Sequence, residues 1–338
     1  MINHNKKLNI SVVGLGVGFA HARAIKKEKS LNLISVFDPD VKKAKKLSKR
    51  LSCNYKLKFN EIFKDKSLDA VVIASPDDKH FKQILSSIKH SKNFFCEKPF
   101  CNNYRELVKI RKLIGTNKSI VFDTNLILRT VPVFNWLKKQ IKKNVFGRIY
   151  SIEASYLYGR SEKIIKGWRG KAKNYTGMNG GGIHMIDLVC WILNKKPSEI
   201  YSFGNKICFQ KFNYNFMDFE NSILFFEKGL SASVSVHLGC IHKHHHILKI
   251  FGTKKTFIYD DQGPRVYKSK NPNANELKLK IKTLPDDKTK VMKNFFSDIK
   301  RKKFKKEKMR ETYDLIKILE AGRISLSKKK RIKIQYDK

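Results

Sequence analysis

Apolar and polar positions change their rhythm once along this chain. Over the first third, short continuous apolar runs at Leu8–Val13 (LNISVV), Leu31–Phe37, Ala70–Ala74 (AVVIA) and Phe94–Cys96 alternate with stretches of helical spacing. Those stretches are His21–Lys29, Val41–Leu51, Lys79–Lys89 and Tyr104–Leu113. Strands without a polar face, separated by helices, predict a parallel sheet covered on both sides. From about residue 148 the period becomes two, at Arg148–Tyr156, Ile200–Phe209, Asn221–Phe226, Leu230–His237, His246–Phe251 and Thr256–Tyr259. Gly- and Asn-rich turns separate most of these segments, which predicts a largely antiparallel sheet in a second domain. Helical spacing remains at Ile183–Leu193, Val291–Lys300 and Glu311–Ala321, and Met292, Phe295, Phe296 and Ile299 form one stripe on the second of these. The Lys-rich stretches 268–290 and 300–308 read as exposed loops. The expected division is an α/β domain over 1–124 and an α+β domain with an open, mainly antiparallel sheet over 125–338.

Composition narrows the class. A length of 338 residues suits about two domains, and 41% hydrophobic content is that of an ordinary globular chain. No apolar run approaches the roughly 20 residues that span a bilayer. The N-terminal MINHNKKLNISVVGLG lacks the apolar core and cleavage site of a secretion signal, and six cysteines form no C-x-x-C pair. These features lead to the expectation of a cytoplasmic protein without membrane attachment, disulfide framework or zinc ribbon. The formal net charge of +43 raises nucleic acid as a partner. However, the cations are spread along the whole chain and are mostly Lys rather than the Arg that reads bases bidentately. A solvated basic surface with no specific nucleic-acid partner is the expectation.

The first chemical feature is Gly14-Leu-Gly16-Val-Gly18-Phe19, after one predicted strand and before a helix. Glycines there let the backbone approach a pyrophosphate, and the helix N-terminus supplies free N–H groups. The spacing is G-x-G-x-G, so the third glycine arrives one residue early or Phe19 occupies its place. Asp38 follows Gly14 by 24 residues at the end of the second strand, where a carboxylate accepts ribose hydroxyls and repels a 2′-phosphate. Together they point to a Rossmann domain that binds NAD rather than NADP.

Further along, Ala70-Val-Val-Ile-Ala-Ser75-Pro76-Asp-Asp-Lys-His80 and Cys96-Glu97-Lys98-Pro99 carry a family resemblance. The chain resembles the glucose–fructose oxidoreductase/inositol dehydrogenase (Gfo/Idh/MocA) family. Arg129-Thr-Val-Pro132, Gly147-Arg148-Ile149, Gly-Gly-Gly-Ile-His184-Met-Ile-Asp187 and Phe251-Gly-Thr-Lys-Lys-Thr-Phe257 continue it in order. The resemblance implies NAD(P)-dependent oxidation or reduction of a sugar-like carbinol, and dimers or tetramers built through the open sheet. It adds Ser75, Pro76, His80, Glu97 and Lys98 to the expected cofactor site.

By the same resemblance Lys98 faces the nicotinamide and the reacting hydroxyl, where a lysine can donate to a developing alkoxide and relay a proton. His184 corresponds to the active-site histidine, a base for the carbinol proton. Asp187, three residues on, shares its helical face and is expected to orient the ring. Many members carry Asp four residues before this histidine; here the position is Gly180. Either Lys98 and His184 suffice, or activity has been lost. Asn125, Tyr158, Arg160, Trp168 and Arg169 are expected to border the substrate, with Arg129 near them; arginines suit a carboxylate or diphosphate and Trp168 a sugar face. The run His242-Lys-His244-His245-His246 invites a metal, but only Cys240 lies beside it, so no metal is expected. The resulting expectation is an NAD(H)-dependent dehydrogenase of a sugar or nucleotide sugar. An inositol-type polyol dehydrogenase and an inactive dinucleotide-binding regulator remain open.

Overall fold

The computed structural model describes residues 7–117, 119–172, 175–271, 273–287, 289–302 and 306–336. The chain forms two compact units, one of residues 1–125 with 289–313 and the other of residues 126–288 with 314–338.

In the first unit β1 (Leu8–Val13), α1 (Gly18–Lys27), β2 (Leu31–Phe37), α2 (Val41–Leu51), β3 (Asn54–Tyr55), β4 (Ala70–Ile73), α3 (Asp77–Lys89), β5 (Asn93–Cys96), α4 (Tyr104–Thr116) and β6 (Phe122–Thr124) follow in order. The sheet runs β3-β2-β1-β4-β5-β6, every pair parallel. Ile10, Val12, Ala70, Val72 and Phe95 are fully buried, as strands covered on both faces require. Asp40 caps α2 by accepting from the Lys43 N–H at 2.9 Å. The strand order turns back between β1 and β4, which opens a crevice at their carboxyl ends.

The helix Lys290–Lys300 belongs here too. Its Met292, Phe295 and Phe296 join the core that covers β1, β4 and β5, with the rings of Phe95 and Phe295 at 5.8 Å. The sequence shows this apolar stripe but not its cover: by packing, residues 289–313 group with the first unit. The stretch 300–308 is likewise not all loop. Residues 306–308 open the helix Lys306–Lys328, and 303–305 lie outside the described residues. Within 268–290, Leu277–Lys278 pairs as a short strand.

The second unit adds α5 (Pro132–Lys142), β7 (Ile149–Leu157), α6 (Ser161–Ile165), α7 (Trp168–Lys171) and α8 (Ile183–Leu193). Then come β8 (Glu199–Asn205), β9 (Phe219–Phe225), β10 (Ser231–His237), β11 (His245–Gly252), β12 (Thr256–Asp260), β13 (Gly263–Tyr267), β14 (Leu277–Lys278) and β15 (Ile332–Lys333). They form one nine-stranded sheet, β14-β13-β12-β11-β7-β10-β9-β8-β15, antiparallel except for β7 with β10. The α5 helix went unpredicted at the domain junction, although Pro132 at its first turn and the buried Val133, Phe134 and Leu137 mark it. Along β9 the buried positions are Glu220, Ser222 and Leu224, while Phe219, Ile223 and Phe225 face the other side, half-buried. Tyr201 and Phe203 of β8 share that outward face.

Candidate active site

In the first unit the glycine turn sits at the sheet's switch point. Gly14 has φ +82°, and a Cβ there would lie 2.6 Å from Ala74 O and from the Ser75 backbone, so only glycine lets β1 and β4 close up at this end. Gly16 is exposed with no atom within 4 Å of a would-be Cβ, leaving open space over the turn. A Cβ at Gly18 would lie 3.0 Å from Ala74 Cβ and 3.1 Å from Val12 Cγ1, so this glycine already performs the close helix–strand packing that the third glycine provides. Phe19 is not needed in that place: its ring packs on the core under α1, with the Arg50 guanidinium 5.4 Å from its centroid. No described side chain caps α1; in its first turn the Ala20 N–H donates to Val17 O at 3.0 Å. An open glycine, an uncapped helix start and an acid at the end of β2 fit a dinucleotide pyrophosphate and ribose.

Asp38 is more occupied than its sequence position shows. Its Oδ2 accepts from the Leu15 N–H at 2.7 Å and from Lys43 Nζ at 2.9 Å, and its Oδ1 accepts from the Asp40 N–H at 3.1 Å. The carboxylate thus ties the glycine turn to the end of β2.

One strand over, Glu97 N–H donates to Ile73 O at 2.8 Å, and Lys98 follows at the same carboxyl edge, joined to Pro99 by a cis peptide bond. Glu97 is buried, and burial alone pushes its carboxyl upward. A 2.8 Å bond from His21 Nε2, the His21 and Lys98 charges and a 2.8 Å bond from Asn125 Nδ2 outweigh this and hold it below the usual carboxylate range. Asn125, expected beside the substrate, therefore serves Glu97. His21 was not anticipated, although its place one turn past the glycines was the available signal. His80 is fully buried; its ring nitrogens meet Pro99 O at 2.8 Å and Ser75 O at 3.0 Å. It pins the Ser75-Pro76 turn to the Lys98-Pro99 turn from behind, and burial removes it from the cofactor-contacting set. The Ser75 hydroxyl donates to Gln83 at 2.6 Å.

In the second unit His184 lies on the first turn of α8, directly after a π-helical turn, Met178–Gly182. Such turns recur at functional sites. Two anchors start it. The Thr176 hydroxyl accepts from the Asn179 N–H at 3.0 Å, and Glu220 Oε1 accepts from the Gly177 and Met178 N–H groups at 2.9 and 3.3 Å. Burial pushes the Glu220 carboxyl up to about 7 against the pull of those two donors. Sequence reasoning missed Glu220; its signal was an acid within an alternating strand. A Cβ at Gly180 would lie 2.4 Å from Tyr175 Oη, and one at Gly181 would lie 2.3 Å from the Tyr156 ring. The space that an aspartate would use is therefore filled by Tyr175. Asp187 is held side-on by Arg129, with Nε at 3.0 Å and Nη2 at 2.5 Å. Arg129 is thus committed to α8 rather than to a ligand.

Three of the expected substrate residues, Tyr158, Trp168 and Arg169, lie beside Tyr156 or Tyr175. The Tyr156 ring stacks with Tyr158 at 6.1 Å and meets His244 and His246 edge-on at 5.2 and 5.3 Å. Trp168 meets Tyr175 at 5.9 Å, and the Arg169 guanidinium lies 4.8 Å from the Trp168 ring and 6.0 Å from that of Tyr175. His246 is pushed down to about 3 by burial and by the charges of its neighbours His244 and His245, so it is a neutral packing group. Among the described residues no cluster of metal-ligating side chains forms, and no helix is long and apolar enough to cross a membrane.

Comparison with known proteins agrees with this geometry. Residues 8–123 match the Gfo/Idh/MocA oxidoreductase family's NAD-binding Rossmann fold, and residues 138–334 match its C-terminal alpha/beta domain. The chain belongs to this family. It is 21% identical over 206 residues to a 2,7-anhydro-N-acetylneuraminate hydratase of Mediterraneibacter gnavus, covering 61% of this chain and 54% of that protein. The chain thus spans about half the length of that curated relative. It is 26% identical over 281 residues to a glucose-6-phosphate 3-dehydrogenase of Bacillus subtilis, covering 78% and 77%. Among solved structures, a levoglucosan dehydrogenase complexed with NADH superposes with TM-score 0.85 at 18% identity, covering 98% of this chain and 100% of that one. The α/β fold, the NAD-binding Rossmann unit and the mainly antiparallel second sheet are thereby established for this Gfo/Idh/MocA member.

Proposed function

We propose that this chain is an NAD(H)-dependent dehydrogenase of a sugar or nucleotide sugar, with a secondary carbinol as the reacting group. The observation that carries the reading is the carboxyl edge of the first sheet, where the open glycine turn and the locked Glu97–Lys98 turn stand on neighbouring strands. Bound NAD would supply the acceptor, and NADH the donor, of a hydride. Gly14, Gly16 and Gly18 with the α1 N-terminus would hold the pyrophosphate, and Asp38 the ribose. Lys98, next to the Glu97 carboxylate, would donate to the oxygen as alkoxide character develops. His184 would take the carbinol proton, with Asp187, anchored by Arg129, setting the helical turn from which it acts.

The test is steady-state reduction of NAD over a panel of free sugars, polyols and nucleotide sugars, with Lys98→Ala and His184→Ala beside the parent chain. Each variant is expected to lose roughly 10²–10⁴-fold in kcat, with His184→Ala binding NADH as the parent does. Turnover that survives both substitutions contradicts the assignment. A regulatory role without catalysis would instead leave every sugar unoxidised and NADH binding intact.

A further inference from the structure

At the end of α8 away from His184, the second unit holds a cavity of about 720 Å³, the size of a small-ligand pocket. Ile192 in its wall follows His184 by eight residues, about 12 Å along the axis at the helical rise, so the cavity is separate from the site described above. Four segments distant in sequence build it: the last turns of α5 and α8, the start of β7, and the turn between β9 and β10. Ile141, Ile149, Ile192 and Leu230 give it an aliphatic wall. Lys138, Lys142, Arg148, Lys195 and Lys228 supply cations, and among the described lining residues Glu227 is the one acid.

The charge here is gathered and unbalanced. Among the described residues no carboxylate pairs with Lys142, Arg148, Lys195 or Lys228. The C-termini of α5 and α8 contribute roughly −0.5 each and Glu227 a full negative charge, so the five cations leave a net of about +3. Two of the cations are also held in place. The Arg148 guanidinium donates through Nη2 to Lys228 O at 2.6 Å, and the Arg148 N–H donates to Thr253 Oγ1 at 3.0 Å. Lys138 Nζ lies 4.2 Å from the centroid of the Trp191 ring. Lys228 itself has φ +61° and ψ 29°, a left-handed conformation that favours Gly or Asn. The rim of the cavity thus carries a lysine where the backbone alone would call for a smaller residue.

We propose that this cavity binds an organic diphosphate with an aliphatic chain. Arg148, Lys195 and Lys228 would hold the diphosphate through charge-assisted bonds, and Ile141, Ile149 and Ile192 would take the chain out of water. A single carboxylate would leave most of the positive excess unmatched, whereas a diphosphate answers it, and a bare inorganic anion would leave the aliphatic wall unused. The site goes beyond the dehydrogenase reading and does not depend on it.

The test is calorimetric titration of the full-length chain with geranyl diphosphate, geraniol and inorganic pyrophosphate. NADH is present at saturation, so that the pyrophosphate site at the glycine turn is filled. Geranyl diphosphate is expected to bind at least about tenfold more tightly than either fragment. Lys228→Gly and Arg148→Gln should each weaken it about tenfold or more; glycine suits the left-handed backbone at 228, so that variant keeps the fold. Lys45→Gln, on the exposed face of α2 in the first unit, should bind it as the parent does. Pyrophosphate binding as tightly as geranyl diphosphate would mean an anion held without the wall, and geraniol binding as tightly would mean a wall without charge; either result overturns the proposal. So does an affinity that survives Lys228→Gly, or one that falls as far in Lys45→Gln, which would mark attraction to the overall charge of +43 instead of a site.

Discussion

At the scale of single residues, the site depends on buried polar groups whose partners lie far away in sequence. Glu97 is the clearest case. Its carboxylate is out of water and stays ionised only because His21, Lys98 and Asn125 converge on it, from 76, one and 28 positions away. A carboxyl held below its ordinary value gives stability that is present above the usual carboxylate range and is lost as pH falls through its folded value. Glu97→Gln keeps the shape but leaves His21 and Lys98 without the charge, and removing one partner of a buried pair costs about 3 kcal/mol or more. Urea denaturation at pH 7 should show that loss; a midpoint equal to the parent's would show that Glu97 carries no charge that the fold uses. The Glu97-Lys98-Pro99 motif was legible in the sequence because it is contiguous. His21 and the Tyr175 ring over Gly180 were not, because pairing across a fold leaves no periodic trace.

At the scale of elements, hydrophobic period placed ten of the fifteen described strands, missing β3, β6, β13, β14 and β15, and did not say which face turns inward. On β9 the larger apolar side chains, Phe219, Ile223 and Phe225, lie on the half-exposed face, while Glu220 turns into the interior to start the helix of His184. The helix start and the strand are thus coupled through one carboxyl raised from its ordinary 4.5 to about 7. The sign follows from its greater proton affinity when folded. The stability it contributes is fully present below pH 4.5 and is lost as pH rises through 7, about 3 kcal/mol in all. Glu220→Gln should remove that slope, so urea denaturation at intervals from pH 4.5 to 8 should show the parent falling relative to the variant. Parallel curves would place Glu220's titration outside this window. The same limit on patterning explains the helix Lys290–Lys300: its stripe was plain, but the sheet it covers was not.

At the scale of the whole chain, the two sheets and their order were readable because strand–helix alternation and unbroken strand alternation are different rhythms. Cofactor preference is less directly written. Asp38 argues for NAD by its position, yet Lys43 lies 2.9 Å from its Oδ2 and partly offsets the charge that would repel a 2′-phosphate. The acid is expected to prevail, since it also accepts from the Leu15 N–H at the glycine turn. Titration of the purified, nucleic-acid-free chain with NADH and with NADPH, followed by nicotinamide fluorescence, tests this most directly. Saturable NADH binding at least tenfold tighter than NADPH is the predicted result; binding of neither would contradict the dehydrogenase account at its foundation.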